Sequence, residues 1–563
     1  MKLTNPPQTP PTIESFITSN RLLERKFMKT NKLLAAGALA LSMAMTPVAS
    51  LLNAMPISAA TVQLSDTSHS YTAYKIFDGE EETVEGNVQL TKINWAEGVN
   101  GTGILAAIKD STDTNLNPLK SATSAATLAD ALQTAAANGS DLTSRAFAKL
   151  LNNSLELLGE PEDTNITNNS TLTVGYYLLR DNTTTSSQDV VGLSILKVAK
   201  SNGTITITPK NTKPGVDKQV WDNDSHDVKA PAANPGTASE AGFGESADHF
   251  IGQQFEFQLN TTGLTYETVR AYDEYYLEFN DSWTEGITVE ATSKTETAAT
   301  NITVTVNGTE KTGDFNITVN QSEKKLNVSI TNLKNVLPAN MADTDTINVV
   351  VTYKAHLNEN AVVSNTAMEN KNDVELIYSN NPNTDGKGTS EKDNVFVGTF
   401  KLLNEKKDAD GAALQGAKFK LKKSDTEFAK FKTVQGRNIF DGWDASGTEI
   451  TSDGNGLFYM EGLDAGTYTL VETEAPDGYK KAADTSIVIN AEHSEVSEGT
   501  EAGNKATVQL TGANADGATV TNSKISNLPE TGGMGTTMIY GVGAVMVAGA
   551  AVFYVTNKRT RKD

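Results

Sequence analysis

The 563-residue chain contains no cysteine, which excludes disulfide bonds, thiolate nucleophiles and zinc–thiolate sites together. Histidine is also scarce, and no two of the 5 histidines stand at a metal-ligand spacing such as i, i+4. We therefore expect neither a metal centre nor a cofactor, and we expect every histidine to lie on the surface or in a loop. The histidines are His69, His226, His249, His356 and His493.

Positive charge is in short supply as well. The chain has 47 Lys+Arg against 69 Asp+Glu, which gives a formal net charge of −22. Nucleic-acid binding needs a basic surface against the phosphates, so this balance argues against a nucleic-acid partner. At roughly 150 residues per domain, the length predicts three or four domains, each able to bury a core.

The N-terminal region is typical of a secretory leader. A basic segment at residues 25–32 precedes an Ala/Leu-rich run at residues 33–45, and small residues follow up to Ala60. The apolar run is too short and too rich in alanine to make a good membrane span. We expect residues 1–60 to be removed, and Met28 is a more typical start for such a leader.

The C-terminal region, residues 526–563, carries three features in order. A pentapeptide precedes an apolar stretch at residues 534–555, which is long enough to cross roughly 30 Å of hydrocarbon, and a basic tail follows. A span and a basic tail alone would be an ordinary membrane anchor. With the pentapeptide, they resemble a Gram-positive cell-wall sorting signal at all five motif positions. The pentapeptide is Leu528-Pro529-Glu530-Thr531-Gly532.

That resemblance has two implications. A sortase cysteine would cleave the bond between Thr531 and Gly532, and the protein would become covalently attached to peptidoglycan. The expected location is therefore outside the cell, on the cell wall, with no free span in the mature product.

Between its two ends the sequence predicts a mainly β fold, built of tandem immunoglobulin-like β-sandwich domains. Short runs rich in β-branched residues, such as residues 204–207 and 349–353, are separated by turn residues. The Ala/Leu-rich stretch at residues 122–157 has helical periodicity, so we expect some helix in the first domain. The precursor would add a C-terminal transmembrane helix.

Composition shifts at Pro214 and at residues 381–388 divide this region into domains at 61–213, 214–390 and 391–525. Three nearby acidic residues, Asp222, Asp224 and Asp227, lack the ordered ligand spacing of an EF-hand. We therefore expect them to lie in a solvated loop.

The last domain contains two recognisable sequence motifs, at residues 414–421 and 466–479. They resemble the B-type repeat domain of collagen adhesins, and the second resembles the motif called the E-box in pilins. Across the mature chain, the order of parts resembles a sortase-assembled major (backbone) pilin.

In the last domain, Glu472 alternates with apolar residues on a predicted strand, and so do Lys406 and Asn522 near the first and last strands. Burial would favour a neutral acid and a neutral amine. The amine could then attack the amide, forming a Lys406–Asn522 isopeptide bond with loss of ammonia and Glu472 as the promoting acid. Asn404 interrupts the apolar alternation, so Lys407 remains an alternative nucleophile.

The middle domain carries a similar set. Lys218, Asp281 and Asn380 each alternate with apolar residues. The phrase at residues 376–382 resembles the end of the pilin isopeptide-forming D2-type domain, in which an Asp is the usual acid. The resemblance implies a Lys218–Asn380 bond promoted by Asp281, with Asn381 as the rival acceptor.

The end of the first domain carries a third motif, at residues 208–211. It resembles the pilin motif, whose lysine attacks the sortase acyl-enzyme formed at the sorting signal of another subunit. Here that lysine is Lys210, and Pro209 would stop the strand so that the side chain projects. Lys213 is the nearest rival.

The sequence thus predicts a structural protein, the shaft subunit of a covalent cell-surface pilus, and not an enzyme beyond its own autocatalytic bonds. The expected partners are a pilus-type class C sortase, a housekeeping sortase, further copies of the chain, minor or tip pilins, and peptidoglycan. The alternative is a monomeric wall-anchored adhesin that binds a host protein or glycan. The sorting signal fits both, and the linking lysine distinguishes them.

Overall fold

The computed structural model describes most of the chain between the leader and the basic tail. The described residues are 59–84, 87–137, 142–183, 192–207, 213–223, 242–294, 299–382, 384–496, 505–525 and 535–559. They form a mainly β protein, as the sequence predicts.

The N-terminal domain (residues 59–207) combines two sheets with helices. Its strands are β1 (Ala59–Leu64), β2 (Tyr71–Val84), β3 (Asn87–Trp95), β4 (Asp163–Ile166), β5 (Thr171–Thr173), β6 (Gly175–Asp181), β7 (Leu193–Val198) and β8 (Thr204–Ile207). Its α-helices are α1 (Gly101–Asp110), α2 (Ala125–Ala137) and α3 (Leu142–Asn152), with short 3-10 turns at Thr114–Leu119 and Leu155–Leu157.

The five-stranded sheet of this domain runs β3-β2-β6-β7, with β4 beside β2, and a three-stranded sheet runs β5-β1-β8. Apolar helix faces pack onto the larger sheet, where Leu128 and Phe147 share a core with Phe77 and Leu178. Helices α2 and α3 confirm the helix predicted within residues 122–157. Helix α1 was not predicted.

The middle domain is a sandwich of two seven-stranded sheets. Its strands are β9 (Gly215–Asp222), β10 (Gly242–Gly244), β11 (Ser246–Asp248), β12 (Gln254–Thr262), β13 (Leu277–Trp283), β14 (Ile287–Val289), β15 (Ile302–Val306), β16 (Thr309–Glu310), β17 (Asn316–Asn320), β18 (Lys325–Ile330), β19 (Val349–Leu357), β21 (Asn370–Ser379), β22 (Lys387–Thr389) and β23 (Asp393–Gly398). It also contains α4 (Tyr266–Arg270) and 3-10 turns at Thr312–Asp314 and Leu333–Val336.

One sheet of the sandwich runs β10-β9-β12-β19-β15-β16 with β14 beside β19; the other runs β11-β23-β21-β13-β18-β17 with β22 beside β21. Buried residues alternate along β12, β13, β19 and β21, so each strand presents every second side chain to the shared core. Strand β23 pairs with β21. It therefore belongs to this sandwich, although the predicted boundary at residue 390 assigned it to the last domain.

The last domain is a single twelve-stranded sheet. Its strands are β20 (Ala367–Met368), β24 (Phe400–Asp408), β25 (Lys418–Lys422), β26 (Phe428–Val434), β27 (Arg437–Asp444), β28 (Ile450–Thr451), β29 (Leu457–Leu463), β30 (Gly466–Glu474), β31 (Tyr479–Lys480), β32 (Thr485–Val496), β33 (Lys505–Thr511) and β34 (Thr519–Lys524). The order is β20-β33-β32-β30-β25-β26-β27-β29-β24-β34-β31, with β28 beside β25. Strands β24 and β34 are parallel neighbours, so the beginning and the end of the domain lie side by side.

The C-terminal helix α5 (Gly535–Arg559) follows. Its segment Met538–Lys558 has a mean hydropathy of 2.0 and is not covered by the rest of the protein. Length and composition suit it to cross a membrane, as the sequence predicts.

Candidate functional site

A lysine lies wholly buried in the core of the middle sandwich. Lys218 sits on β9 opposite Leu259 of β12, and its side chain is 0% exposed. Its Nζ lies 5.0 Å from the ring centre of Phe257 and 5.5 Å from that of Tyr353. A charged ammonium is costly in such surroundings unless a partner compensates for it.

The compensating partner is Asp281 on β13, which is also 0% exposed. Lys218 Nζ donates a hydrogen bond to Asp281 Oδ2 and another, at 3.1 Å, to Tyr353 Oη. Tyr353 Oη in turn donates to Asp281 Oδ2 at 3.0 Å. Burial lowers the pKa of Lys218 and raises the pKa of Asp281. Both shifts favour moving the shared proton from the ammonium to the carboxylate, which leaves a neutral amine beside a neutral acid.

An asparagine completes this middle cluster. Asn372 on β21 is 0% exposed, and its Nδ2 donates to Tyr353 Oη at 2.7 Å. One tyrosine hydroxyl therefore touches the lysine, the acid and an amide. Within the described part of the chain, Asn372 Oδ1 has no hydrogen-bond partner. The middle cluster is Lys218, Asp281, Tyr353 and Asn372.

Asn380, the predicted acceptor, does not meet Lys218, and that prediction is wrong. Asp281 pairs with Val374, whereas Asn380 follows six residues later, after β21 has ended. At 3.3 Å per residue, this places it about 20 Å farther along the strand direction. Asn381, the rival acceptor, is displaced in the same way.

The register explains this error. Alternation along a strand predicts which face a residue occupies, but it does not predict which residue of the neighbouring strand lies opposite. Asn372 alternates with Val374 and Leu376 on the same buried face, so its signal was present in the sequence. The signal of Tyr353 was also present, since it alternates with Val351 and Ala355.

The last domain holds the second buried lysine. Lys406 on β24 is 0% exposed, and its Nζ donates to the main-chain oxygens of Val520 and Lys407, both at 3.0 Å. Burial lowers its pKa. Lys406 pairs with Val520 of β34, and Asn522 lies two residues farther along β34 on the same buried face.

Glu472, on β30, holds the asparagine of this cluster. Asn522 Nδ2 donates to Glu472 Oε1 at 2.9 Å, and the main-chain N–H of Ala482 donates to Glu472 Oε2 at 2.6 Å. Both side chains are buried, and Asn522 Oδ1 accepts no hydrogen bond from the described residues. The structure thus brings together all three residues predicted for this domain. The C-terminal cluster is Lys406, Glu472 and Asn522.

The choice between Lys406 and Lys407 follows from β24. Its buried residues alternate without a break, because Asn404 also faces inward and its Oδ1 accepts from the main-chain N–H of Ala518 at 2.9 Å. Lys407 faces the opposite side and pairs with Glu405 at 2.7 Å. Lys406 is therefore the lysine that lies on the same buried side of the sheet as Glu472 and Asn522.

Several predicted functional residues lie outside the described residues. These are Lys210, the leader up to residue 58, and the pentapeptide Leu528-Pro529-Glu530-Thr531-Gly532. The rival Lys213 is described and is exposed. The roles of all of them stay predictions.

The expectation that every histidine lies on the surface or in a loop is wrong for His493, which is 1% exposed and lies on β32. His69 and His249 lie in loops as expected, but they are also buried, at 3% and 1% exposed. Each of His69, His249 and His493 is accommodated by a polar partner near a ring nitrogen: Asp181 Oδ2 at 2.7 Å, the Trp221 carbonyl at 2.8 Å, and Ser246 Oγ at 3.2 Å, respectively. Asp222 is likewise buried at the end of β9 instead of lying in a solvated loop. Asp224, Asp227 and His226 lie outside the described residues.

Two segments of the chain match known protein families. Residues 251–382 match the family described as Gram-positive pilin backbone subunit 2, Cna-B-like domain. Residues 401–505 match the SpaA prealbumin-like fold domain. The middle cluster lies largely within the first match, and Lys406 and Glu472 lie within the second.

The solved structures with similar folds include major and backbone pilins. The T6 backbone pilin of serotype M6 Streptococcus pyogenes is 14% identical, with 83% of this chain and 98% of that chain covered and a TM-score of 0.44. The major pilin subunit BcpA of Bacillus cereus is 15% identical, with 64% and 92% covered and a TM-score of 0.37. The RrgB pilus backbone of Streptococcus pneumoniae is 18% identical, with 55% and 100% covered and a TM-score of 0.35. No curated protein matches the chain.

Proposed function

We propose that this chain is the shaft subunit of a covalently polymerised pilus on the surface of a Gram-positive bacterium. The observation that carries the proposal is the match of residues 251–382 to a domain of pilin backbone subunits. The prealbumin-like domain and the apolar C-terminal helix are consistent with it. In this role the protein is structural, and its chemistry serves to make covalent bonds within and between subunits.

Within each subunit, the two clusters are the proposed sites of isopeptide bonds. The neutral amine of Lys218 attacks Cγ of Asn372, and that of Lys406 attacks Cγ of Asn522. In each case a C–N bond forms, the bond to the amide nitrogen breaks, and one ammonia leaves. Proximity would supply much of the barrier reduction, because Tyr353 Oη contacts both Lys218 and Asn372. In the last domain, Asn522 lies two residues beyond the strand partner of Lys406 on the same buried face.

The acids Asp281 and Glu472 act as proton shuttles. Each acid accepts the proton lost by the attacking amine and passes it to the departing amide nitrogen, which leaves as ammonia. In the middle cluster, Asp281 touches the lysine directly and Tyr353 joins it to the amide. In the C-terminal cluster, Glu472 is already bonded to the amide of Asn522.

These bonds would stand in for the disulfides that the chain cannot form. Each would close a loop of more than a hundred residues, for which the loop-entropy relation used for disulfides gives about 5 kcal/mol of stabilisation. Each would also carry tension. The bond from β9 to β21 would join the facing sheets of the sandwich, and the bond from β24 to β34 would join the ends of the last domain.

Between subunits, we propose linkage by sortases. A pilus-type class C sortase cysteine cleaves the Thr531–Gly532 bond and holds Thr531 as a thioester. Lys210 of the next subunit attacks the thioester, which gives an amide and frees the enzyme. A housekeeping sortase joins the finished fibre to peptidoglycan, and minor or tip pilins and host ligands are the further partners of such a fibre.

The test uses wall extracts of the producing bacterium, boiled in detergent and separated on a gel. The wild-type chain should give a ladder of covalent multimers. Lys210→Arg should leave only monomer still attached to the wall, because a guanidinium stays protonated and cannot act as a nucleophile. Lys213→Arg is the matched control and should keep the ladder.

Three outcomes would contradict the proposal or one of its steps. A single wild-type band would indicate the alternative, a monomeric wall-anchored adhesin. A full ladder from Lys210→Arg would show that another lysine links the subunits. Surface-extracted protein that keeps residues 534–555 would contradict cleavage at Thr531.

A further inference from the structure

A second kind of buried cluster lies where the middle and last domains meet. Asp222 and Asp248 end strands β9 and β11 of the sandwich, and His493 lies on β32 of the last domain. All three side chains are buried, and each offers one ligand atom within 4.8 Å of the other two. None of them belongs to the middle cluster or to the C-terminal cluster.

The closest approach in this cluster joins Asp248 Oδ1 and His493 Nε2, which lie 3.0 Å apart. The two groups form an ion pair when the imidazole is protonated, although neither atom makes a well-aligned hydrogen bond with another described residue. Both side chains are 0% exposed. When the imidazole is neutral, the same nitrogen and carboxylate oxygen are both available as ligands of one metal ion.

The other side of each residue is already held in place. His493 Nδ1 lies 3.2 Å from Ser246 Oγ, and Asp248 Oδ2 accepts from the main-chain N–H of Ala465 at 2.8 Å. With Nδ1 donating to Ser246 Oγ, the imidazole is neutral and Nε2 keeps a lone pair for a metal ion. Outer-shell partners of this kind orient metal ligands in proteins.

We propose that Asp222, Asp248 and His493 form a binding site for a divalent transition-metal ion at the junction of the two domains. An imidazole with carboxylates suits zinc and its neighbours, whereas calcium and magnesium prefer oxygen ligands alone. Ligand atoms about 2.1 Å from one zinc ion lie roughly 3 to 4 Å apart, which agrees with the Asp248–His493 approach.

The location gives the ion a structural task. Two ligands come from the sandwich and one from the last domain, so a bound ion ties the two domains together. Asp464, which is 1% exposed, lies beside the cluster, and its Oδ2 accepts from Asn223 Nδ2 at 3.3 Å. The proposed isopeptide bonds each lie within one domain, whereas this site bridges two.

The experiment uses residues 61–531 stripped of metal with a chelator, and zinc chloride as the probe. Calorimetric titration and native mass spectrometry should show one zinc ion per chain, and zinc should raise the unfolding temperature. Asp248→Asn and His493→Gln should each weaken binding about 100-fold or more, and Ser246→Ala about 10-fold, in line with losses at other metal sites. His356→Gln is the matched control, since His356 pairs with Glu290 elsewhere in the sandwich.

The proposal is overturned if the wild-type chain binds no zinc, or if His493→Gln binds zinc as tightly as the wild type. Preferential binding of calcium would overturn the assignment to a transition metal. Unfolding temperatures without zinc identify any variant that fails to fold. Ser246→Ala keeps all three ligands, so it tests the site even if a ligand variant does not fold.

Discussion

The two buried lysines of this protein show how the same kinds of residue can be arranged in two ways. In the middle cluster, Lys218 contacts the acid, and Tyr353 holds the asparagine. In the C-terminal cluster, Glu472 holds the asparagine, and Lys406 donates to main-chain carbonyls. The acid is thus hydrogen-bonded to the lysine amine in the middle domain and to the asparagine amide in the last domain.

Strand arrangement explains the difference. Lys218 lies in one sheet of the sandwich, and Asp281 and Asn372 lie in the other, so the cluster must reach across the core and a tyrosine fills the gap. Lys406 and Asn522 lie on adjacent parallel strands of one sheet, so no bridging side chain is needed. If both proposed bonds form, their chemistry requires a shared buried core and not one fixed hydrogen-bond pattern.

The largest expected effects, in both regions, are on the free energy of unfolding. Asp281→Ala should remove the cross-link, worth about 5 kcal/mol, and should also leave Lys218 buried without its carboxylate, a further loss of about 3–5 kcal/mol. Glu472→Ala should also cost the cross-link, and it leaves the N–H groups of Asn522 and Ala482 without their acceptor, a further loss of about 1–3 kcal/mol each, while Lys406 keeps its carbonyl partners. Denaturant titration followed by hydrogen exchange in each domain measures both losses.

Matched controls for these losses lie on the same strands. Asn280→Ala and Glu474→Ala change neighbouring polar residues that lie outside the buried clusters. Both variants should still lose two ammonias relative to their own sequence mass and should keep most of the wild-type stability. An Asp281→Ala or Glu472→Ala chain that is as stable as the wild type would contradict the account of its cluster.

A smaller difference is expected in the rate of bond formation. Tyr353→Phe removes the hydroxyl that touches the lysine, the acid and the amide, so bond formation in the middle domain should slow by about tenfold or more. The last domain has no such hydroxyl in its cluster and should react at the wild-type rate. Intact mass sampled at intervals after cell-free synthesis follows each ammonia lost. Slowing in both domains would indicate a general folding defect instead.

The smallest expected effect is a pH dependence in variants that cannot react. In Asn372→Ala, Lys218 stays titratable, and burial holds its pKa below the ordinary 10.5. At pH values between the lowered pKa of Lys218 in the folded chain and the ordinary 10.5 of the unfolded chain, the folded chain binds fewer protons than the unfolded chain. The free energy of unfolding therefore rises with pH up to about 10.5. The raised pKa of Asp281 acts the other way, with stability lost as pH rises through that pKa.

The wild-type chain provides the reference for this measurement, since a reacted lysine no longer titrates. The stability gap between wild type and Asn372→Ala should therefore narrow in alkaline solution. The stability gap between wild type and Asn522→Ala should also narrow as the pH rises, because burial lowers the pKa of Lys406 as well. Denaturant midpoints measured from neutral pH to pH 10 provide the test, and a widening gap would contradict the buried-amine account.

The sequence was sufficient to predict the mainly β fold, the helices α2 and α3, and the residues of the C-terminal cluster, with the choice between Lys406 and Lys407 left open. Each of these follows from local periodicity or from a motif with fixed spacing. It was insufficient for Asn372, because the register between β13 and β21 is set by packing across the whole sandwich. The junction cluster could not be predicted either, since Asp222 and His493 are far apart in the chain and only the docking of two domains brings them together.

The most direct test of the account is the intact mass of residues 61–531 with peptide mapping. The account predicts a mass lower than the sequence value by two ammonias, with cross-linked peptides joining Lys218 to Asn372 and Lys406 to Asn522. Asn372→Ala should restore one ammonia, whereas Asn380→Ala should restore none. A wild-type mass equal to the sequence value would contradict both bonds, and an Asn380→Ala chain that regains an ammonia would contradict the assignment of Asn372.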